Sequence, residues 1–149
     1  MAGPLFEARF IVYWSESDAA GIAHFTTFFK MLEWTEEELL RDILGEAFTD
    51  PDKRSIVFPR VHASCDYKAP LRVHDTARIS IDSAVIGKTS ITWLFTIHNE
   101  TLGVESAKCK VVAVSVEAST LRPIEVPSEL KEALLKRGAV LRSGDPPLA

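Results

Sequence analysis

Residues 26–44, TTFFKMLEWTEEELLRDIL, decide the fold class, because their apolar side chains recur at the spacing of one long α-helix. The apolar positions are Phe25, Phe28, Phe29, Leu32, Leu39, Leu40 and Ile43. The glutamates at 33, 36, 37 and 38 and Arg41 fall largely elsewhere on the helical wheel. Thr26 or Thr27 is suited to cap the start and Gly45 to end the helix. The wide apolar face predicts a helix buried by a second layer, with Phe28, Leu32, Leu39 and Ile43 as its central filling.

Outside this helix the sequence is typical of strands. Residues 6–14 (FEARFIVYW) predict a first strand, and a small, polar loop follows at 15–21. After the helix, strand patterns cover residues 56–67, 77–86, 90–98 and 104–116, with hairpin turns at 87–88 and 99–103. Residues 126–137 predict a short closing helix. This order indicates the α+β class, with an antiparallel sheet of about five strands wrapped around one long central helix.

Length and composition predict one ordinary globular domain. The chain has 149 residues, of which 46% are hydrophobic and 26% charged. We expect residues 1–137 to form the domain and residues 138–149, with Gly and Pro and little that could pack, to be a flexible tail. A net charge of −4 gives no reason to expect a nucleic-acid partner. No apolar run has the length of a membrane span, and no signal peptide is visible, so we expect a cytoplasmic protein.

Cysteine and histidine spacing gives no sign of a metal site. Cys65 and Cys109 lie in apolar, strand-like runs without a pairing pattern, so we expect free, buried thiols. The four histidines have no HxH or HExxH spacing. GxSxG, GxGxxG and Walker-type motifs are absent from the sequence. We therefore expect neither a metal nor a cofactor.

The loop before the long helix, SDAAGIAHFTTFF at 17–29, is the most suggestive stretch for chemistry. A helix N-terminus presents unpaired N–H groups and a positive dipole end, which suit a developing oxyanion. Gly21 permits a tight turn that folds the loop across this end. Asp18 would then stand nearby, as a nucleophile or as a base for water. The same residues also fit a capping aspartate and a turn glycine, and spacing alone favours that interpretation.

This stretch resembles the 4-hydroxybenzoyl-CoA thioesterase branch of the hotdog superfamily, whose loop is roughly D-x-A-G-(I/V)-x-x-(F/Y/H)-x-x-(Y/F). The matching residues are Asp18, Ala20, Gly21, Ile22 and Phe28. The strand-end stretch DYKAPL at 66–71, the turn GKTS at 87–90 and the exit at 122–127 extend the likeness over residues 8–130. The resemblance implies a hotdog fold and hydrolysis of an acyl-CoA thioester to a free carboxylic acid and CoA.

The resemblance also implies residue roles. The loop aspartate of the family is its catalytic carboxylate, which corresponds to Asp18, and the backbone N–H seven residues later polarises the thioester carbonyl, which corresponds to Phe25. Several relatives have an aromatic residue followed by histidine where this chain has His24 and then Phe25, and that reversal puts a side-chain role for His24 in doubt. The residues expected to bind substrate are His24, Phe28, Lys88 and Arg72.

Two further groups of charged residues are candidates. Some hotdog thioesterases use a glutamate on the central helix, so Glu33, Glu36 and Glu37 are possible, although a charge run on the outer face of a helix is usually solvated. Basic residues near strand ends could meet the CoA phosphates, with Lys88 the first choice. These residues are Arg60, Lys68, Arg72, Arg78 and Lys88.

Two other functions compete with hydrolysis. Hotdog dehydratases and hydratases resemble a different pattern, with a histidine–carboxylate pair, and the Asp18 loop fits them poorly. A non-catalytic acyl-CoA sensor would keep the cleft and lose the carboxylate, which this chain keeps.

The resemblance further implies a symmetric dimer at least, and a tetramer as the expected assembly, because the lone sheet leaves one edge exposed.

Overall fold

The protein is described by a computed structural model that covers residues 3–50 and 52–143. The chain order is β1 (Phe6–Ile11), α1 (Phe25–Leu44), α2 (Glu46–Thr49), β2 (Ile56–Val57), β3 (Arg60–Tyr67), β4 (Thr76–Ile86), β5 (Ser90–Asn99), β6 (Val104–Val114), β7 (Val116–Glu117), α3 (Ser128–Lys136) and β8 (Val140–Leu141). A 3₁₀ turn at Trp14–Glu16 ends the region that was predicted as a longer first strand.

The main sheet has the strand order β1-β4-β5-β6-β3, with antiparallel pairing throughout this path. Helix α1 packs across one face of the sheet, against β1, β4 and β3. The core between the two layers includes Leu39 of α1, Ile79 of β4 and Phe95 of β5, all at most 1% exposed. The predicted α+β arrangement, one long helix against an antiparallel sheet of five principal strands, is confirmed.

Helix α1 runs close to its predicted bounds. Gly45 follows its last residue with a φ of 56°, a conformation that glycine adopts readily, so the predicted end is confirmed. Phe28, Leu32 and Leu39 are buried as predicted, and Ile43 is half-buried. The predicted cap was wrong. His24 takes that place instead of a threonine, because the helix begins one residue earlier than the apolar pattern indicated.

The two cysteines are joined, so the prediction of free thiols is wrong. Cys65 of β3 and Cys109 of β6 are direct partners in the antiparallel register, with their Cα atoms 4.1 Å apart, and they form a disulfide. Cys109 is buried and Cys65 half-buried. No spacing pattern indicated this bond, because the two cysteines are 44 positions apart and meet only when β3 pairs with β6 at the sheet edge.

The start of the expected tail is ordered. Residues 140–141 form β8, which pairs in parallel with the end of β4, and Ala139 is buried in the core. Residues 138–143 therefore differ from the expected unpacked tail, because Ala139 packs into the core and residues 140–141 pair with β4. Residues 144–149 of the expected tail lie outside the described residues. Within the described part of the chain, no helix is long and apolar enough to span a membrane.

Candidate active site

The loop that precedes α1 folds back on itself. The backbone N–H of Asp18 donates to the carbonyl of Ile22 at 2.8 Å, and Ser17 and Ala23 form an isolated antiparallel bridge. Gly21 closes the turn with a φ of 75°, and its N–H donates to the carbonyl of Asp18 at 3.1 Å. Left-handed backbone strains most L-residues, so a side chain at this position would oppose the turn. The structure thus gives Gly21 the turn-forming place that the sequence indicated.

The turn between β3 and β4 anchors this loop. The N–H of Ala23 donates to the carbonyl of Leu71 at 2.7 Å, and the N–H of Val73 donates to the carbonyl of Gly21 at 3.2 Å. Ile22 and Arg72 are paired in a β-bridge. The loop is therefore fixed to the sheet by backbone hydrogen bonds.

A buried pair of polar side chains supports the anchoring turn. The amide of Asn99, which is fully buried, donates to the carboxylate of Asp75 at 2.7 Å. The same Asp75 oxygen accepts the backbone N–H of Arg72 at 2.9 Å. Buried polar groups are costly when unpaired, so this network holds the 72–75 turn in one conformation. Because the loop that carries Asp18 is joined to this turn by backbone hydrogen bonds, the loop is also held in one conformation.

The start of α1 leaves one backbone donor free. The imidazole Nδ1 of His24 accepts a hydrogen bond from the N–H of Thr26 at 3.2 Å. The backbone carbonyl of His24 accepts one from the N–H of Thr27 at 2.8 Å. The N–H of Phe25, the first helical residue, has no hydrogen-bond acceptor among the residues that the structure describes. An unpaired N–H at a helix N-terminus is a ready donor to a negatively charged oxygen.

The carboxylate of Asp18 is exposed to solvent and does not cap the helix. Its Oδ1 accepts the N–H of Ala20 at 2.8 Å, which is a local turn within the loop. Within the described residues, no hydrogen bond is formed by the second oxygen, Oδ2. The capping interpretation of Asp18 is thus incorrect, and one carboxylate oxygen is available to a ligand or to water.

Asp18 and the start of α1 open onto one cavity of about 540 Å³. Its lining residues are Asp18, Ile22, Ala23, His24, Phe25, Phe28, Tyr67, Lys68, Ala69 and Pro70. Four of the predicted site residues, Asp18, His24, Phe25 and Phe28, are therefore brought together.

Tyr67 is the residue of this cavity that the sequence reasoning did not assign. Its ring packs edge-on against Phe28, with centroids 4.9 Å apart, and its hydroxyl donates to the carbonyl of Phe25 at 3.0 Å. Partial burial raises the pKa of the Tyr67 phenol, so the hydroxyl keeps its proton at neutral pH. The strand-end stretch at 66–71 contained this residue and was the signal that could have identified it.

Comparison with known proteins places the chain in a family. Residues 12–134 match the model of the thioesterase-like superfamily. The chain belongs to this superfamily. A 1,4-dihydroxy-2-naphthoyl-CoA hydrolase from Nostoc punctiforme is 33% identical over 128 residues, which are 83% of this chain and 82% of the relative.

Solved structures agree on the fold. The 1,4-dihydroxy-2-naphthoyl-CoA thioesterase from Synechocystis superposes with a TM-score of 0.76 at 20% identity, over 87% of this chain and 95% of that one. A Staphylococcus aureus protein solved in complex with CoA gives 0.78 at 13% identity, over 92% and 85%. The hotdog fold that the sequence implied is thereby confirmed for this thioesterase-like chain.

The predicted basic residues of this thioesterase-like chain are scattered. Lys68 lies at the cavity and forms an ion pair with Glu105 at 2.6 Å. Arg72 is exposed beside the loop. Lys88 lies beyond the opposite end of β4, where it lines a different cavity of about 330 Å³. A single chain therefore does not bring Lys88 to Asp18.

Glu36 contradicts the expectation that the helix glutamates are solvated. It is 2% exposed, because it follows Leu32 by one helical turn on the buried face. Arg60 donates to both of its carboxylate oxygens, at 2.7 and 3.1 Å. Burial raises the pKa of Glu36 to about 7, and the neighbouring Arg60 opposes this shift without cancelling it. The i, i+4 spacing from Leu32 was the sequence signal for this burial.

The described residues contain no group of three or more His, Cys, Asp or Glu side chains arranged to hold a metal ion.

Proposed function

We propose that Asp18 and the backbone N–H of Phe25 carry out thioester hydrolysis in this protein. The chain is an acyl-CoA thioester hydrolase, as its family and the names of its relatives indicate. The observation that carries the catalytic assignment is that an exposed carboxylate and an unpaired helix N-terminal N–H line the same cavity.

The chemistry follows from these two groups. The thioester carbonyl oxygen accepts a hydrogen bond from Phe25 N–H, and the positive end of the α1 dipole stabilises the negative charge that develops on it. Asp18 then either removes a proton from the attacking water or attacks the carbonyl carbon itself. In both routes the C–S bond breaks, water supplies the acid oxygen, and CoA leaves with the remaining proton as the free thiol.

The surroundings of the carboxylates favour Asp18 over the helix glutamates. Asp18 is exposed in the cavity next to Phe25, whereas both oxygens of Glu36 are engaged by Arg60. Glu33 and Glu37 lie two to three turns further along α1, away from the unpaired N–H that would bind the oxyanion. A carboxylate at either position could activate water, but the unpaired N–H would not lie beside it to stabilise the negative charge on the thioester oxygen.

We also propose that two copies pair through β3. This strand lies at the end of the sheet path, and nearly all of its residues are exposed, including Val61 at 62% and Tyr67 at 47%. An exposed edge strand is a template for pairing with another strand. Antiparallel pairing of β3 with its copy would extend the sheet across a twofold axis.

This dimer would account for the position of Lys88. Strands β3 and β4 run in opposite directions, so Lys88 lies at the sheet end where β3 begins, and Asp18 at the end where β3 finishes. A twofold axis between the two β3 strands reverses one copy, which places Lys88 of the partner subunit at the same end of the joined sheet as Asp18. Light scattering at micromolar concentration should then give at least twice the mass of one chain, and a stable monomer would contradict the proposal.

Replacing Asp18 tests the catalytic assignment. Asp18→Asn keeps the shape of the side chain but removes the nucleophile and base, so thiol release from an acyl-CoA should fall at least about 100-fold. Calorimetric binding of a non-hydrolysable analogue should change little. Asp52→Asn, at an exposed aspartate remote from the cavity, is the matched control. Wild-type turnover in Asp18→Asn would move the catalytic role elsewhere.

A further inference from the structure

The seam between α1 and β3 continues beyond the proposed active site. The active-site cavity is lined by Phe28 of the helix and Tyr67 of the strand. A second cavity of about 100 Å³ is lined by Leu32, four residues after Phe28, and by Ala63, four residues before Tyr67. Residues four apart share a face both on a helix and on a strand, so the two cavities follow one another along the seam.

An ion pair between the buried Glu36 and the partly exposed Arg60 forms the far end of the second cavity. Glu36 and Arg60 line this cavity, and they also line a third one of about 170 Å³ that continues to Leu40. The ion pair therefore stands between the second and third cavities. The other walls of the second cavity are mostly apolar, formed by Phe29, Leu32, Ala63 and Val111, with Glu33 at the edge.

The backbone of β3 is shaped to place Arg60 there. The register with β6 shifts between Arg60 and His62, so Val61 is an extra residue and Arg60 pairs with Ala113 on the helix-facing side. Such bulges re-aim a side chain at the expense of regular pairing. Burying the Glu36 carboxylate costs free energy that a partly exposed arginine returns only in part, so stability alone does not explain the pair.

We propose that the acyl group runs along this seam and that Glu36 and Arg60 select acyl groups that carry a hydroxyl at their far end. This inference rests on the proposed function, since it takes the thioester carbonyl to lie at Phe25. A hydroxyl can donate to the Glu36 carboxylate and accept from the guanidinium. Glu33 also lies 4.0 Å from Arg60, so two carboxylates surround one cation. An acyl group with a negative charge at its far end would therefore be repelled.

The helix geometry sets the length of that acyl group. Eleven residues separate Phe25 from Glu36, which is about 16 Å along the axis at a rise of 1.5 Å per residue. The Glu36 side chain points back towards the helix start, which shortens this distance. The hydrogen bond from Phe25 to the carbonyl and the one between Glu36 and the hydroxyl shorten it further. Roughly 7–10 Å is then left for the acyl group between its carbonyl and its hydroxyl. A 4-hydroxycinnamoyl group has this extent, and its ring suits the Phe28, Phe29 and Tyr67 walls.

A matched pair of ligands tests the selection. The probes are CoA thioethers of 4-hydroxycinnamoyl and cinnamoyl groups, with a methylene between sulfur and carbonyl so that hydrolysis cannot occur. Calorimetry gives the ratio of their two dissociation constants. The wild-type protein should bind the hydroxylated probe at least about tenfold more tightly, because a hydrogen bond to a charged group is among the stronger ones.

Variants identify the residues responsible. In the double variant Glu36→Leu with Arg60→Met the ratio should fall to within about twofold of one, and in Glu36→Gln it should fall at least about threefold. Glu37→Gln, at an exposed neighbour, is the control that should keep the wild-type ratio. Thermal unfolding establishes whether each variant folds. If the double variant does not fold, the ratio measured for Glu36→Gln tests the proposal by itself.

The outcomes separate the two proposals. A wild-type ratio near one, or a ratio that both variants retain, would overturn the selection by Glu36 and Arg60. Thiol release from the matching thioesters is measured separately. A high ratio without any release would contradict the proposed hydrolysis at Asp18 and would support the acyl seam, whereas release with a ratio near one would do the reverse.

Discussion

Replacing Glu36 by glutamine should change how the stability of the protein depends on pH. Glu36→Gln keeps the shape of the side chain and removes its ionisable group. In the folded protein, burial raises the pKa of Glu36 from the ordinary 4.5 to about 7. The folded state therefore holds a proton that the unfolded chain releases between these two pH values, and ionisation favours the unfolded chain.

The size of the effect follows from the difference between the two pKa values. The 2.5 units between 4.5 and 7 correspond to ~3 kcal/mol in the free energy of unfolding. This penalty is absent below about pH 4.5, grows as the pH rises through 7, and is nearly complete by about pH 8. Wild type should thus lose ~3 kcal/mol relative to Glu36→Gln between pH 4.5 and 8.

Urea unfolding at pH 4.5, 6 and 8 measures this difference, at one fixed protein concentration because an assembly would make stability concentration-dependent. Glu37→Gln, at an exposed glutamate on the same helix, should show a change of less than about 0.5 kcal/mol over the same range. A difference between wild type and Glu36→Gln that is constant with pH would refute the reasoning. It would mean that the attraction of Arg60 fully offsets the burial of the carboxylate.

Three further results are expected. Leu39→Ala should cost roughly 2–5 kcal/mol in urea unfolding, because Leu39 is fully buried between α1 and the sheet, and a loss well under 1 kcal/mol would contradict that packing. Asn99→Ala should cost about 1–3 kcal/mol and also lower turnover, because it removes the side-chain donor to the buried Asp75, keeps only the Arg72 N–H, and loosens the turn that anchors the Asp18 loop; unchanged turnover would show that the loop holds its shape alone. Alkylation of the unfolded, non-reduced protein should modify no thiols, and two modified cysteines by mass spectrometry would contradict the bond between Cys65 and Cys109.

Much of the fold could be predicted because it depends on local periodicity. The 3.6-residue apolar repeat of α1 and the two-residue alternation of the later strands are properties of neighbouring residues, and the structure has these elements close to their predicted bounds. The same is true of the loop at Asp18 and Gly21, where one glycine sets the turn and the helix that follows supplies the unpaired N–H of Phe25. The candidate site was visible in the sequence because it lies on contiguous residues.

What the sequence missed depends on residues far apart in the chain. Tyr67 reaches Phe25 across 42 positions, and Arg60 reaches Glu36 across 24. Counting charges on α1 suggested a solvated face, but Glu36 lies on the buried stripe, where only a cation from β3 could accompany it.

The sequence by itself determined the fold class, the extent of α1 and the Asp18 loop, because each is set by interactions within a few residues. Only the tertiary structure decided that Cys65 meets Cys109, that Lys88 lies at the far end of the sheet from Asp18, and that an ion pair closes the α1–β3 seam. The physical reason is that strand order, register and the bulge beside Arg60 are fixed by how all the strands pack together around α1. A one-residue change of register would turn every β3 side chain to the opposite face, and local sequence preferences do not specify that choice.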